Sequence, residues 1–279
     1  MTLALINVEL IKVFRKWRSY IGFIAIFVLS LIVQTALYFE GENYLNMATR
    51  SIQQSFIFSG NLLNGYLVGY LILQTLFIHI PFLIVLVGGD LLAGEATGGT
   101  YRILVTRPVS RWQIVIAKFS AGLIYTNLLL VVLFIVSLVL SSLIYGTGEL
   151  IVLRDKVYIF SSGDVLWRFL LAYGFATLSM TTVLAVSFLF SSLVENAIGP
   201  IVATMALIII FIIISALPID ALENVRPFLF TTHMDEWRLF FGDPIDYERI
   251  LKSAGILIAH IIGLFFITFW IFKKKDILS

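Results

Sequence analysis

Six long apolar runs dominate the sequence, and they constrain the fold more than any other feature. Each is near or above the roughly 20 residues that a helix needs to cross a hydrocarbon core about 30 Å thick. Only 13 % of the 279 residues are charged, against about 25 % in soluble domains. The sequence therefore predicts an all-α membrane protein with six transmembrane helices and a single transmembrane domain, 1–279. The expected spans are roughly 20–39, 66–88, 112–145, 166–191, 197–217 and 254–272.

The distribution of charge predicts the orientation of the chain. An even number of spans places both termini on one side of the membrane. If that side is the cytoplasm, its segments hold eleven basic and five acidic residues, and the outer segments hold eight and twelve. Lysine and arginine close to the spans favour the cytoplasmic side. We therefore expect cytoplasmic termini, in the plasma (inner) membrane of a prokaryote.

Residues 1–19 have the pattern of an interfacial amphipathic helix. Leu3, Ile6, Leu10, Val13, Phe14 and Trp17 form an apolar stripe, and the other side carries Asn7, Glu9, Lys12, Arg15, Lys16 and Arg18. A basic amphipathic helix of this kind lies in the membrane interface. Two interpretations stay open, an extended topology signal and a docking element for a cytoplasmic partner.

Residues 218–253, in the largest outer segment, are too apolar for a solvated linker. Five aromatic residues there would form a large apolar patch if water surrounded them. We expect short re-entrant helices in the outer leaflet, around a turn near Gly242-Asp243, with a compact extracellular cap as the alternative. Asp243 and Pro244 suit an N-cap and a first helical position for the last helix.

Several classes of protein lack support in the sequence. The predicted spans have no charged residue in their central parts, and ion-coupled carriers usually need one there. No cysteine, no HExxH motif and no GxSxG motif is present. The GxxxxGK[ST] phosphate loop is also missing. We expect this chain to bind no cofactor, no metal and no nucleic acid, and to be no enzyme itself.

Four polar residues within or beside the apolar runs are weak candidates for a substrate path. They are Gln34, Gln74, His79 and Asn127. Polar residues in membrane helices usually join helices through hydrogen bonds. For His79, two residues before Pro81, the structural alternative is a kinked helix whose imidazole bonds a freed carbonyl. A substrate contact is the functional alternative.

The stretch from Gly88 to Lys118 interrupts the hydrocarbon with organised polar sequence. Gly88-Gly89 closes the second span, and residues 90–96 can form a short helix that presents Glu95 to the cytoplasm. Gly98-Gly99 ends that helix, and Thr100 can cap a second helical piece that ends at Pro108. Glu95 is then either paired locally with Arg102 or offered to a partner.

A capping box at Ser110–Gln113 predicts where the third long helix begins. A helix from there to Tyr145 has about 36 residues and a length of roughly 54 Å, more than the bilayer thickness. A cytoplasmic stem that carries Arg111 and Lys118 should therefore project from the membrane.

These residues together resemble the type 2 class of ABC exporter permeases. The resemblance rests on Glu95, on Gly99-Thr100, on Pro108-Val109-Ser110-Arg111 and on Lys118, and in outline it covers the whole chain. Gly98-Gly99 followed by Tyr101-Arg102 departs from the more apolar run that members of the class often have.

The resemblance implies a coupling helix in the loop 89–110, seated on a separate ABC ATPase subunit that binds ATP and Mg. The residues assigned to this coupling are Glu95, Thr100, Arg102, Arg107 and Arg111. It also implies a second permease half, identical or not, and alternating access that exports a substrate. We expect the substrate to be hydrophobic or amphipathic. We also expect Glu95 to be the main contact that couples ATP hydrolysis in the ATPase to the permease.

Other interpretations of the same residues stay open. A solvated cytoplasmic loop accounts for the arginines, although not for the capping box or the paired glycines. The second functional hypothesis is a scaffold or a channel-like subunit without an ATPase, in contact with membrane lipid. An intramembrane enzyme is the third.

Overall fold

The computed structural model describes residues 2–50, 62–99, 109–154, 156–217 and 219–275. Within these ranges, six helices are long and apolar enough to cross a membrane, which confirms the predicted all-α membrane fold. The helices are α1 (Thr2–Arg15), α2 (Arg18–Thr49), α3 (Gly65–Leu76), α4 (Ile80–Gly88), α5 (Asp90–Thr97), α6 (Arg111–Tyr145), α7 (Ser162–Leu193), α8 (Ile198–Ala216), α9 (Phe230–Met234) and α10 (Tyr247–Lys274).

The second predicted span, 66–88, is a broken helix. Asn64 caps α3 by accepting hydrogen bonds from the amides of Tyr66 and Leu67. The helix breaks before Pro81, which has no amide hydrogen to donate. His79 Nδ1 lies 3.0 Å from the carbonyl of Thr75, so the imidazole bonds a carbonyl beside the break as the structural interpretation expected.

The junction between α4 and α5 depends on a glycine. A Cβ atom on Gly88 would lie 2.0 Å from Ser187 Oγ in α7. Only a residue without a side chain allows the two helices to approach this closely. The short helix α5 then follows almost directly. The second span therefore does not close at Gly88-Gly89, as the sequence predicted, but continues to Thr97.

The third long helix, α6, begins and ends where the sequence predicts. Ser110 Oγ accepts from the Gln113 amide, and the Gln113 side chain accepts from the Ser110 amide, so the capping box is confirmed. The helix runs for 35 residues, about 52 Å. It contains one π-helical stretch, Ile135–Val139.

The fourth spanning helix, α7, is the centre of the bundle. Of its most apolar stretch, 72 % is buried, against 17 % for the corresponding stretches of α8 and α10. Helices α4, α6, α8 and α10 all pack against it. The outward faces of α8 and α10 are therefore free to contact lipid or another subunit.

Two features at one end of the bundle differ from the prediction. An antiparallel hairpin, β1 (Leu150–Leu153) with β2 (Val157–Phe160), lies between α6 and α7. The last helix does not begin at Pro244, because Asp246 is its N-cap. Asp246 accepts a hydrogen bond from the amide of Arg249 instead.

Residues 219–246, which we call the folded-back segment, run along α7 rather than away from it. The segment contains three 3-10 helices, Asp220–Leu222, Arg226–Phe228 and Asp235–Phe241, and the helix α9. Ser179, near the middle of α7, donates to the carbonyl of Met234. The sequence predicted two short helices around a turn near Gly242-Asp243, whereas the described residues of the segment form four short helices. Its place in the outer leaflet stays a prediction.

Candidate functional site

A buried cluster of ion pairs joins three helices at one end of the bundle. Lys118 of α6 is only 1 % exposed. Its ammonium donates to Glu9 of α1 at 2.7 Å and to Glu95 of α5 at 2.8 Å. Lys12 bonds the same two carboxylates, at 2.9 Å and 2.6 Å. We call these four residues the ion cluster.

A second set of ion pairs lies beside the ion cluster. Asp90, at the start of α5, accepts from Lys16 and from Arg18 at the junction of α1 and α2.

Within the ion cluster, burial by itself lowers the pKa of Lys12, but the hydrogen bonds of Lys12 to Glu95 and Glu9 outweigh this effect. The pKa of Lys12 is therefore raised above its ordinary value of 10.5, and the lysine stays charged at neutral pH.

The ion cluster corrects three expectations drawn from the sequence. Glu95 is 8 % exposed, so its side chain points into the protein rather than to the cytoplasm. Lys118 is not an exposed charge on a projecting stem, because α1 covers that part of α6. Glu9 is buried although the amphipathic pattern placed it on the solvent side. A desolvated charge needs a partner of opposite sign, and each of these residues provides one for another.

Ser191 holds α5 to the central helix, and the sequence analysis missed it. Its hydroxyl donates to the carbonyl of Gly89 at 2.7 Å and accepts from the amides of Leu92 and Ala93. One side chain of α7 thus bonds both sides of the junction at which α5 begins. One serine among the several in α7 gives no sequence signal for this. Glu9 did give a sequence signal, because it is the only carboxylate among the first 39 residues.

Arg111 fixes the start of α6 to the end of the last helix. Its guanidinium donates to the carbonyls of Phe272, Lys273 and Lys275, at 2.7–3.1 Å. Cations near the C-terminal carbonyls of a helix are stabilising. Three other residues assigned to coupling, Thr100, Arg102 and Arg107, lie outside the described residues.

The ion cluster and Arg111 lie at the same end of the bundle. We call this end, with α1, α5 and the start of α6, the charged end.

A large cavity lies away from the charged end, with a volume of about 800 Å³. Its walls come from the region of the α3–α4 break, from α8 and from the folded-back segment. The apolar part is formed by Leu71, Phe77, Ile78, Ile208, Ile212 and Ala216. The polar part includes Gln74, Thr75, His79, Asp235 and Arg238. This volume is in the range of sites for small ligands, about 300–1,000 Å³.

The structure separates the four candidates for a substrate path. Gln74 and His79 both line the cavity. Gln34 is buried elsewhere and donates to the carbonyl of Val136, within the π-helical stretch of α6, and to Ser141. Asn127 bonds the carbonyl of Leu123 in its own helix. Gln74 and His79 thus share one cavity, whereas Gln34 joins two helices.

The folded-back segment is fixed to α7 by Arg168, which is 6 % exposed. Its guanidinium donates to the carbonyls of Phe240 and Gly242, at 2.8 Å and 3.0 Å. It also pairs with Asp164 and lies over the ring of Phe160. On the other side, the buried His233 bridges the carbonyl of Pro227 and the hydroxyl of Ser253. These contacts determine where Asp235 and Arg238 lie on the cavity wall.

Comparisons with known proteins agree with this architecture. Residues 3–277 match the family model described as ABC-2 family transporter protein. The chain is also similar to the uncharacterized protein YhcI of Bacillus subtilis (strain 168), with 25 % identity over 199 residues. The alignment covers 69 % of this chain and 63 % of that protein, less than two thirds of its length.

Proposed function

The chain belongs to the ABC-2 family of transporter proteins, and from this premise we propose that it is the permease of an ATP-driven exporter. ATP binding and hydrolysis take place in a separate ATPase chain, because this sequence has no phosphate loop. The substrate is hydrophobic or amphipathic and leaves the cytoplasm by alternating access. Two permease halves and two ATPase subunits form the working unit.

The anchoring of the loop between α5 and α6 is the observation that carries this proposal. On one side, Glu95 ties α5 to Lys118 of α6 and to Lys12 of α1. On the other side, the capping box and Arg111 tie the start of α6 to the last helix. A force on a loop held in this way moves several helices at once.

The ion cluster makes the charged end resist separation into its helices. Removing one member of a buried ion pair costs about 3–5 kcal/mol, because it leaves a charge without a partner. Helices α1, α5 and α6 therefore move together when an ATPase subunit displaces the loop. Ser191 passes the same displacement to α7, the helix that packs against most of the bundle.

Because α6 is long, it can transmit this movement from the charged end to the cavity. The helix extends for about 52 Å from Arg111 to Tyr145. Near its far end, the π-helical stretch packs against α3, a helix that lines the cavity. A displacement at the loop is thereby converted into a change of the cavity between α3, α8 and the folded-back segment.

The exposed apolar faces of α8 and α10 supply the surface for a second permease half and for lipid. Ile209 and Ile213 on α8 are about half exposed, as are Ile262 and Phe266 on α10. Neither helix buries more than a small part of its apolar surface within this chain. We assign α8, which borders the cavity, to the contact between halves.

Reconstitution with the ATPase tests this proposal. The permease and its ATPase are purified together and inserted into liposomes, and ATP-dependent movement of a fluorescent amphiphile is measured. We expect Glu95→Gln to keep the ATPase bound but to reduce transport per ATP hydrolysed. Arg15→Gln removes an exposed charge from the same end and should behave like the wild type.

Two results would contradict the proposal. If no ATPase copurifies in mild detergent, the scaffold or channel-like alternative is favoured. If Glu95→Gln transports with wild-type stoichiometry, the ion cluster has no part in coupling.

A further inference from the structure

We propose that the cavity binds an amphiphile with a zwitterionic headgroup, and that Asp235 and Arg238 select this headgroup. The inference rests on the proposed function, since the amphiphile is then the transported substrate. It is argued from the chemistry of the cavity wall, where an apolar surface and a pair of opposite charges lie side by side.

The apolar wall fits an alkyl chain. Side chains of Leu71, Phe77 and Ile78 face it from the region of the helix break, and Ile208 and Ile212 do so from α8. Burial of each methylene of a ligand on such a surface is favourable. This part of the cavity supplies affinity without distinguishing one headgroup from another.

The charged wall offers an incompletely used ion pair. Arg238 Nη2 lies 3.6 Å from Asp235 Oδ2, beyond the usual length of a hydrogen bond between a cation and a carboxylate. The Arg238 side chain is 33 % exposed, so its guanidinium can donate a charge-assisted hydrogen bond to an anionic oxygen of a ligand.

The carboxylate side of the pair also has free capacity. The Asp235 side chain is 55 % exposed. Its oxygens can accept from, or lie beside, the cationic group of the same headgroup. A headgroup with one positive and one negative charge therefore complements both residues. An anionic headgroup is repelled by Asp235, and a cationic headgroup is repelled by Arg238.

A third polar group lies on the same cavity. The Gln74 side chain is exposed there, and its amide has no hydrogen-bond partner among the residues the structure describes. At membrane depth an amide without a partner is unfavourable. The amide supplies a further donor or acceptor for the polar region of a headgroup.

Binding of three amphiphiles with one chain length and different headgroups tests the inference. The probes are tetradecylphosphocholine, tetradecyl sulfate and tetradecyltrimethylammonium. The permease has no cysteine, so Ile78→Cys can carry a polarity-sensitive fluorophore that reports occupancy in nanodiscs without ATPase. We expect the zwitterionic probe to bind most tightly, by about tenfold or more, as one charge-assisted hydrogen bond implies.

Matched variants identify the residues responsible. Asp235→Asn should shift the preference toward tetradecyl sulfate, and Arg238→Gln toward tetradecyltrimethylammonium, each with about a tenfold loss for the zwitterion. Lys252→Gln, an exposed charge at the start of the last helix, should leave all three affinities unchanged.

The outcomes separate this inference from the proposed function. Equal binding of the three probes, or no response to Asp235→Asn and Arg238→Gln, would overturn the headgroup assignment whether or not transport occurs. Disulfide formation between Ile78→Cys residues of two permease copies, with no probe bound, would show that a second copy fills the cavity. Selective binding without ATP-dependent transport would keep the site and contradict its role in export.

Discussion

The two ends of the bundle are held together by different forces. At the charged end, buried ions join helices that are far apart in sequence, as Lys118 does between Glu9 and Glu95. At the cavity end, aromatic rings and bonds to backbone carbonyls join the folded-back segment to α3 and α7. Trp237 and Phe241 pack on Tyr70, for example, with ring centroids 5.0–5.9 Å apart.

This difference indicates that the two ends have different mechanical functions. Buried ion pairs are directional, and separating their members is costly, so the charged end is suited to transmit a displacement without deforming. Aromatic contacts tolerate small changes of angle, and an open cavity of about 800 Å³ lies beside them. Under the proposed function, we therefore expect the cavity end to be the part that changes shape.

Loss of the central lysine is expected to have the largest effect. Lys118→Met removes one of the two lysines that, among the described residues, pair with both Glu9 and Glu95. We expect destabilisation by about 3–5 kcal/mol, measured by thermal or denaturant unfolding in detergent.

The double variant Glu9→Gln with Lys118→Met is the control for that experiment. It removes one charge of each sign and leaves Lys12 paired with Glu95, so most of the stability should return. Wild-type unfolding of Lys118→Met alone would show that the ion cluster does not hold the charged end together.

A smaller and more local effect is expected at the cavity end. Arg168→Gln deprives the carbonyls of Phe240 and Gly242 of a charged donor. Hydrogen bonds of charged groups contribute about 1.5–3 kcal/mol. We expect faster amide exchange in residues 235–241, with little change at α1 and α5.

Arg249→Gln provides the comparison within the same region, because Arg249 bonds Glu236 of the folded-back segment but is 61 % exposed. Exposed pairs contribute about 0–1 kcal/mol. If both variants open residues 235–241 equally, Arg168 is not the anchor of the segment.

The polar contact between α2 and α6 should matter less. Gln34→Leu removes hydrogen bonds to the carbonyl of Val136 and to Ser141, each of 2.8 Å. Such bonds contribute about 0.6 kcal/mol on average within membranes. We expect a loss of this size in unfolding free energy, and none for Asn127→Leu, since Asn127 bonds only its own helix among the described residues. A larger loss from Asn127→Leu would give Asn127 a role that its contacts do not explain.

The pH dependence of Lys12 should give the smallest effect. Its pKa is raised, so its stabilising contribution is complete below the ordinary value of 10.5 and is lost as the pH rises above it. The melting temperatures of wild type and Lys12→Gln should differ slightly at pH 7 and pH 9, and should converge above pH 10.5. A difference that disappears near neutrality would contradict this assignment.

Local sequence rules predicted the elements of the charged end. Apolar run length predicted the spans, and the Ser110–Gln113 spacing predicted the first residue of α6. The paired glycines predicted the end of α5, where Gly99 has a φ of +62°. Each of these signals acts within a few residues of the chain, which is why one sequence suffices to interpret them.

Contacts between distant segments could not be predicted in the same way. Glu95 was placed on the surface because a short helix alone does not show that α1 lies over it. The amphipathic pattern of α1 likewise assumed water on the polar face, where Lys118 instead pairs with Glu9. The Gln74–His79 cavity and the bonds of Ser191 depend on the packing of helices that no local pattern specifies.

Distances within each of the two regions test the central claim most directly, that α1 and α5 move together while the cavity changes shape. Spin labels at Ile11→Cys and Thr97→Cys report the separation of α1 and α5, and labels at Ile78→Cys and Ala216→Cys report the width of the cavity. Both pairs are measured in the complex with its ATPase, without nucleotide and with ATP under conditions that block hydrolysis. The account predicts an unchanged Ile11–Thr97 distance and a changed Ile78–Ala216 distance. An Ile11–Thr97 distance that shifts or broadens with ATP, or a cavity that stays the same, would contradict it.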